Sequence, residues 1–129
     1  MNKQRNPSSL GAPSGPFSHT SEVPAGSRLL YISGQVGMLP NGEIPNGIEA
    51  QAKTVWDNIE ACLAVADMTL DDLVKITTFV VRQEDLGAAA KERAKRLGNA
   101  RPTSSTVLVA GLVVPDLLIE IEAVAAGKA

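Results

Sequence analysis

The sequence predicts an α+β domain: a mixed six-stranded sheet with two helices on one face, in the chain order βββαβαββ. Three observations predict it. Apolar residues recur at helical spacing in two segments, β-branched runs of strand length occupy the stretches between and after them, and the chain closes on the strict alternation IEIEAVA. Two amphipathic helices and a half-apolar sheet each have one face to bury, and packing them together is the economical solution.

The opening residues MNKQRNPSSLGAPSGP are rich in Pro, Ser and Gly, so residues 1–15 read as a flexible arm and 16–129 as a single domain. Basic residues occur there without a following apolar segment, which argues against a signal peptide and for a cytoplasmic protein. Arg28 to Val36, RLLYISGQV, carries β-branched and aromatic residues and runs into Gly34 and Gly37, as a strand entering a bend does. In MLPNGEIP the pair Asn41-Gly42 tolerates the positive φ of a tight turn, and the short apolar pieces beside it predict a small hairpin. Asn46 with Glu49 three residues later resembles a capping box. Behind it Ile48, Ala52, Val55, Ile59, Cys62, Leu63 and Ala66 form a helical stripe that Trp56 borders. Leu73 to Val81 reads as a second strong strand. Glu84 and Asp85 then open a helix that Lys95 and Arg96 close before Gly98, with a thin stripe of Leu86, Ala89, Ala90, Ala94 and Leu97. Two strands finish the chain, Thr103 to Val109 and Leu117 to Ala125.

At 129 residues, 44% of them hydrophobic and 20% charged, the chain is long enough to bury a core of its own. No apolar stretch approaches a membrane span, so no membrane partner is expected. One cysteine, Cys62, forms no internal disulfide, and one histidine, His19, anchors neither a zinc site nor a histidine triad with a second histidine. No metal and no cofactor is therefore expected. A net charge of −2 and 3% aromatic residues do not make a basic, stacking surface, and nucleic acid is not an expected partner. The basic cluster KERAKRLGNAR reads first as a solvated helix face. Two helices cover only one side of the sheet, so the other side, with its apolar residues, predicts self-association.

The chemistry concentrates near the C-terminus. In IEIEAVA, Ile119, Ile121 and Ala123 point one way while Leu118, Glu120, Glu122 and Val124 point the other. On the preceding strand Ser104, Thr106 and Leu108 share one side, and Ser105, Val107 and Val109 the other. If the two strands pair, a hydroxyl comes to lie beside a glutamate. Periodicity alone leaves two readings open. The glutamates face solvent or hold a subunit salt bridge, or a partly buried carboxylate orients or deprotonates a water in a cleft, where desolvation raises its pKa.

Taken together, YISGQVG, AQAKTVWDNIEACLAVADMTLDDLVKITTFV, RPTSSTVLVAGL and IEIEAVA resemble the Rid family, also called YjgF, from about Pro16 to Ala125. The resemblance implies a chorismate-mutase-like fold of the trimeric type and a homotrimer with small-molecule ligand clefts between subunits. It also implies hydrolysis of reactive enamines and imines, such as 2-aminoacrylate, to 2-oxo acids and ammonia. By the same resemblance Glu120 handles water, and Phe17, Ser33, Gly34, Thr103, Ser105 and Thr106 line the ligand site. The arginine that grips the substrate carboxylate in that family falls at Ser104, whose hydroxyl cannot make a bidentate clamp. Arg101 lies nearby at the opposite strand parity, ahead of Pro102. Three functions follow as expectations: an imine or enamine deaminase with a substrate outside the archetypal set, a non-catalytic trimer that binds a metabolite or partner, and, disfavoured by the acidic balance, an endoribonuclease or translation inhibitor.

Overall fold

A computed structural model describes residues 1–129. Six strands and two helices follow in the order β1 (Lys3–Arg5), β2 (Thr20–Glu22), β3 (Arg28–Val36), α1 (Ile48–Ala64), β4 (Leu73–Val80), α2 (Leu86–Leu97), β5 (Thr103–Leu108) and β6 (Ile119–Gly127). The α+β class and the chain order βββαβαββ are those expected. The six strands, however, form two sheets, a four-stranded one ordered β3-β6-β4-β5 and a separate antiparallel pair, β1 and β2.

The difference lies in which segments supply the first strands. Asn41-Gly42 does turn the chain: Gly42 has φ 90 and its N–H donates to the Leu39 carbonyl at 2.8 Å, while the Leu39 N–H donates to the Glu43 carbonyl at 2.8 Å. No strand flanks this turn, because Pro40 and Pro45 each lack the N–H that a ladder would use. The missing strands come from the first 22 residues, one from residues 1–15, read as an arm, and one from beyond them. There Lys3–Arg5 pairs with Thr20–Glu22, supported by Arg5 to Glu22 at 2.7 Å, and the Asn2 amide donates to the Asp72 and Ala126 carbonyls.

The core sits between the four-stranded sheet and the helices. Ile119, Ile121, Ala123 and Ala125 of β6 are buried, as are Ile76 and Val80 of β4 and Ile32 of β3. Against them α1 sets the expected stripe of Ile48, Ala52, Val55, Ile59 and Leu63, with Trp56 fully enclosed and Cys62 at the edge. The capping box does not form. Gly47, with φ 91, precedes the helix without a side-chain cap, which leaves Asn46 a residue too early to serve. On α2, Ala89 and Leu97 are buried but Ala94 is exposed, and arginines take the neighbouring inward positions. Gly98, with φ 55, ends that helix as expected.

Two polar devices hold the layers in register. Arg96 of α2 reaches Asp57 at 2.6 Å and Glu60 at 2.7 Å on α1, and Glu92 at 2.8 Å on its own helix. Gln51 of α1 is 2% exposed and satisfied at both ends of its amide: Nε2 donates to the carbonyls of Pro45 and Asp116, and Oε1 accepts from the Leu118 N–H at 2.8 Å. Gly37 lies against it, where an added Cβ would come within 2.6 Å of Gln51 Cβ. Gln51 thus fixes the start of β6 against α1.

Gln51→Ala strands the Leu118 N–H and two carbonyls around a cavity, and should lower unfolding free energy by about 2–3 kcal/mol in chemical denaturation. Burial pushes the Asp57 carboxyl up, but the donors of Lys53 and Arg96 outweigh it and hold the group below its ordinary 3.8. A depressed carboxyl contributes stability above its unfolded value that is lost as pH falls through the folded one. Asp57→Asn should therefore destabilise the protein at neutral pH and leave it level with the wild type in melting scans well below pH 3.8.

Candidate functional site

Glu120 and Glu122 lie on the face of the sheet away from the helices, because the odd-numbered residues of β6 are committed to the core. Glu120 pairs in register with Val36 of β3 and Phe79 of β4, and Glu122 pairs with Thr77. The ion pairs of the chain are Arg5–Glu22, Lys53–Asp57, Arg82–Asp85 and those of Arg96, so neither glutamate belongs to one. Glu122 is exposed, whereas Glu120 is half-buried.

What shelters Glu120 is a bulge in β3. Ile32 pairs with Ala123 and Gln35 with Ile121, so Ser33 and Gly34 together oppose the single residue Glu122. The extra residue brings the backbone of Gly34 directly under the Glu120 carboxylate. A Cβ at Gly34 would overlap Glu120 Oε2 and stand 2.7 Å from its carboxyl carbon. Close approach, and not a positive φ, is what requires glycine here. Ser33, the other bulge residue, is exposed beside it.

The residues of RPTSST are not on this face together. β5 is the edge strand and β4 separates it from β6, so the direct pairing that would place a hydroxyl beside a glutamate does not occur. β5 runs parallel to β4, with Ser104 opposite Ile76 and Thr106 opposite Thr78. Ile76 and Thr78 are buried beneath the helices, which puts Ser104 and Thr106 on the helix side. Ser105 aligns with Thr77 and shares the open face of Glu122. Thr103 spends its hydroxyl on the Val74 carbonyl at 2.8 Å. Arg101 is turned back on the end of α2, donating to the Gly98 and Ala100 carbonyls. Phe17 is brought close to β5, since the N–H of the buried Ser18 donates to the Pro102 carbonyl at 3.1 Å, and its ring meets His19 edge to face at 5.8 Å.

Candidate residues therefore fall into two groups on one chain. Ser33, Gly34 and Glu120 form one on the open face, and Phe17, Ser104 and Thr106 form the other around the edge strand. Sequence reading passed over two neighbours of these groups. Phe79 flanks Glu120 in register, and Arg93 of α2 donates from Nη1 to Thr106 Oγ1 at 3.2 Å. The spacing of Arg93 four residues from both Ala89 and Leu97 was the signal that it points inward. No group of three or more His, Cys, Asp or Glu side chains is placed to hold a metal ion. No helix is long and apolar enough to cross a membrane.

The sequence model of the family described as Endoribonuclease L-PSP matches residues 8–127. A RutC family protein of Pyrococcus horikoshii is 36% identical over 115 residues, 88% of each chain. The Escherichia coli protein named "Putative reactive intermediate deaminase TdcF" is 32% identical over 131 residues, covering 98% of this chain and 95% of that one. Among solved structures, YyfB of Yersinia pestis, a protein of the conserved Rid family, superposes with a TM-score of 0.84 at 36% identity, covering 96% of this chain and 97% of its own. With a sheet and helices that follow the same chorismate-mutase-like architecture, the chain belongs to the Rid family, also written YjgF/YER057c/UK114.

Proposed function

We propose that this protein is a cytoplasmic imine and enamine deaminase that works as a homotrimer with its ligand clefts between subunits. The observation that carries the reading is Glu120, a half-buried carboxylate held over the Gly34 bulge and engaged by no cation of its own chain. A carboxylate kept for structure would be paired or fully solvated. This one is sheltered yet left with acceptor capacity, which suits it to hold a water. The name of the Escherichia coli relative, which shares 32% identity over nearly the whole chain, supports the same chemistry.

The reaction needs few parts. An enamine gains a proton at its terminal carbon and loses one from nitrogen to become an imine, and water then adds to the C=N carbon. Glu120 accepts one proton of that water and returns it to nitrogen, giving a carbinolamine; the proton of the new hydroxyl then passes to nitrogen as the C=O bond forms and the C–N bond breaks, and the products are a 2-oxo acid and ammonia. No redox step or resident cofactor enters this balance.

Assembly follows from the two separated groups. Ser104 and Thr106 face the helices while Glu120 faces away, two strands distant, so no small molecule can touch both within one chain. The open face also presents Leu29 and Tyr31, 55% and 75% exposed, as surface for a neighbour. A second copy that covers this face can bring its β5 edge to the first copy's Glu120.

Glu120→Gln should lower ammonia release from enzymatically generated 2-aminoacrylate by about a hundredfold or more without lowering Tm. Gly34→Ala, which displaces the carboxylate sterically, should behave alike; full activity in both would remove Glu120 from the mechanism. Shared clefts predict complementation: co-refolding Glu120→Gln with a variant disabled at the β5 edge should restore part of the activity that neither has alone. Sedimentation of the wild type as a monomer at assay concentration would contradict this.

A further inference from the structure

Arg93 is partly withdrawn from water and has no counter-ion in the chain. It lies half-buried on α2, outside every ion pair of the chain, and its neighbour Glu92 is already engaged by Arg96 at 2.8 Å. Of its five N–H donors one is used, Nη1 to Thr106 Oγ1 at 3.2 Å, which leaves the Nε–Nη2 edge without a partner in the chain. Leaving a desolvated guanidinium unpaired costs stability, and burial alone pushes its pKa down. On the adjacent strand Thr78, 2% exposed, pairs in register with Thr106, and its hydroxyl has no hydrogen-bond partner. Arg93 and the exposed Thr106 thus meet at the edge of the sheet, beside the buried Thr78.

The pair stands beside the place where a carboxylate clamp is missing. Ser104 lies two residues before Thr106 on the same side of β5, about 7 Å along the strand. The residue there is a half-buried serine, with no cationic group of its own. We propose that Arg93, presented on Thr106, binds the carboxylate of a small 2-imino or 2-oxo acid in place of an arginine at position 104. The free Nε–Nη2 edge is the one that accepts a carboxylate in bidentate fashion. This rests on the deaminase reading and deepens it, since Arg93 sets which acids enter the cleft.

Calorimetric titration of the intact protein with 2-oxobutanoate and with its neutral amide, alongside ammonia release, tests the proposal. Wild type should prefer the acid. Arg93→Gln should weaken the acid by roughly tenfold to a hundredfold, leave the amide unchanged, and raise KM more than it lowers kcat. Adding Ser104→Arg to Arg93→Gln should recover affinity for the acid. Should Arg93→Gln fail to fold, Thr106→Val leaves the arginine in place without its support and should still weaken the acid alone. Equal affinity of wild type for acid and amide, or undiminished affinity for the acid in a folded variant, overturns the clamp. Ammonia release with an unshifted KM in Arg93→Gln would sink the clamp and spare the deaminase. Binding of the acid that depends on Arg93 but gives no ammonia would do the reverse.

Discussion

The rest of the structure depends on the parity of β6. It is the only strand of the main sheet with antiparallel neighbours on both sides, and its odd-numbered residues are packed beneath α1. A slip of one residue would bury Glu120 and Glu122 and expose Ile119 and Ile121, at a cost no compact domain of this size could absorb. Gln51 makes the register unambiguous by holding the Leu118 N–H at the strand's entrance. The face on which Glu120 lies is therefore determined by hydrophobic burial on the opposite side.

Given that parity, small local features tune what Glu120 can do. The bulge at Ser33 and Gly34 removes side-chain volume from under the carboxylate, and its half-burial follows from the backbone that fills the space. Glu122, a single pleat away, pairs with Thr77 and stays exposed. Two glutamates that look equivalent in IEIEAVA thus have different surroundings. On the other side of the sheet, Arg96 gathers three carboxylates as a structural clamp between helices, whereas Arg93, three residues earlier, has none. Neighbouring arginines on one helix thus differ: Arg96 ties the helices together, and Arg93 has no carboxylate partner.

Much of this was legible from local periodicity. The stripe Ile48, Ala52, Val55, Ile59 and Leu63 declares α1, Gly98 marks the end of α2, and IEIEAVA declares which residues of β6 go inward, because these patterns repeat within a few residues. Three things were not legible. Pro40 and Pro45 stop Asn41-Gly42 from becoming a strand hairpin, and the strands appear instead at Lys3 and Thr20, joined across a Pro- and Ser-rich loop that carries no periodic signal. Arg93 hides in the basic run KERAKR, where charge masks an inward position. The insertion of β4 between β5 and β6 depends on long-range pairing, to which two adjacent strands in sequence give no clue.

By itself the sequence determined the class of fold, the two helices, and the direction in which Glu120 points, since each follows from burial of residues close together in the chain. The tertiary structure alone decided that Glu120 and Ser104 lie on opposite faces, that Gly34 stands under the carboxylate, and that Arg93 reaches Thr106. Those are contacts between residues far apart along the chain, set by strand order and by a one-residue bulge, and neither has a local signature in amino-acid type.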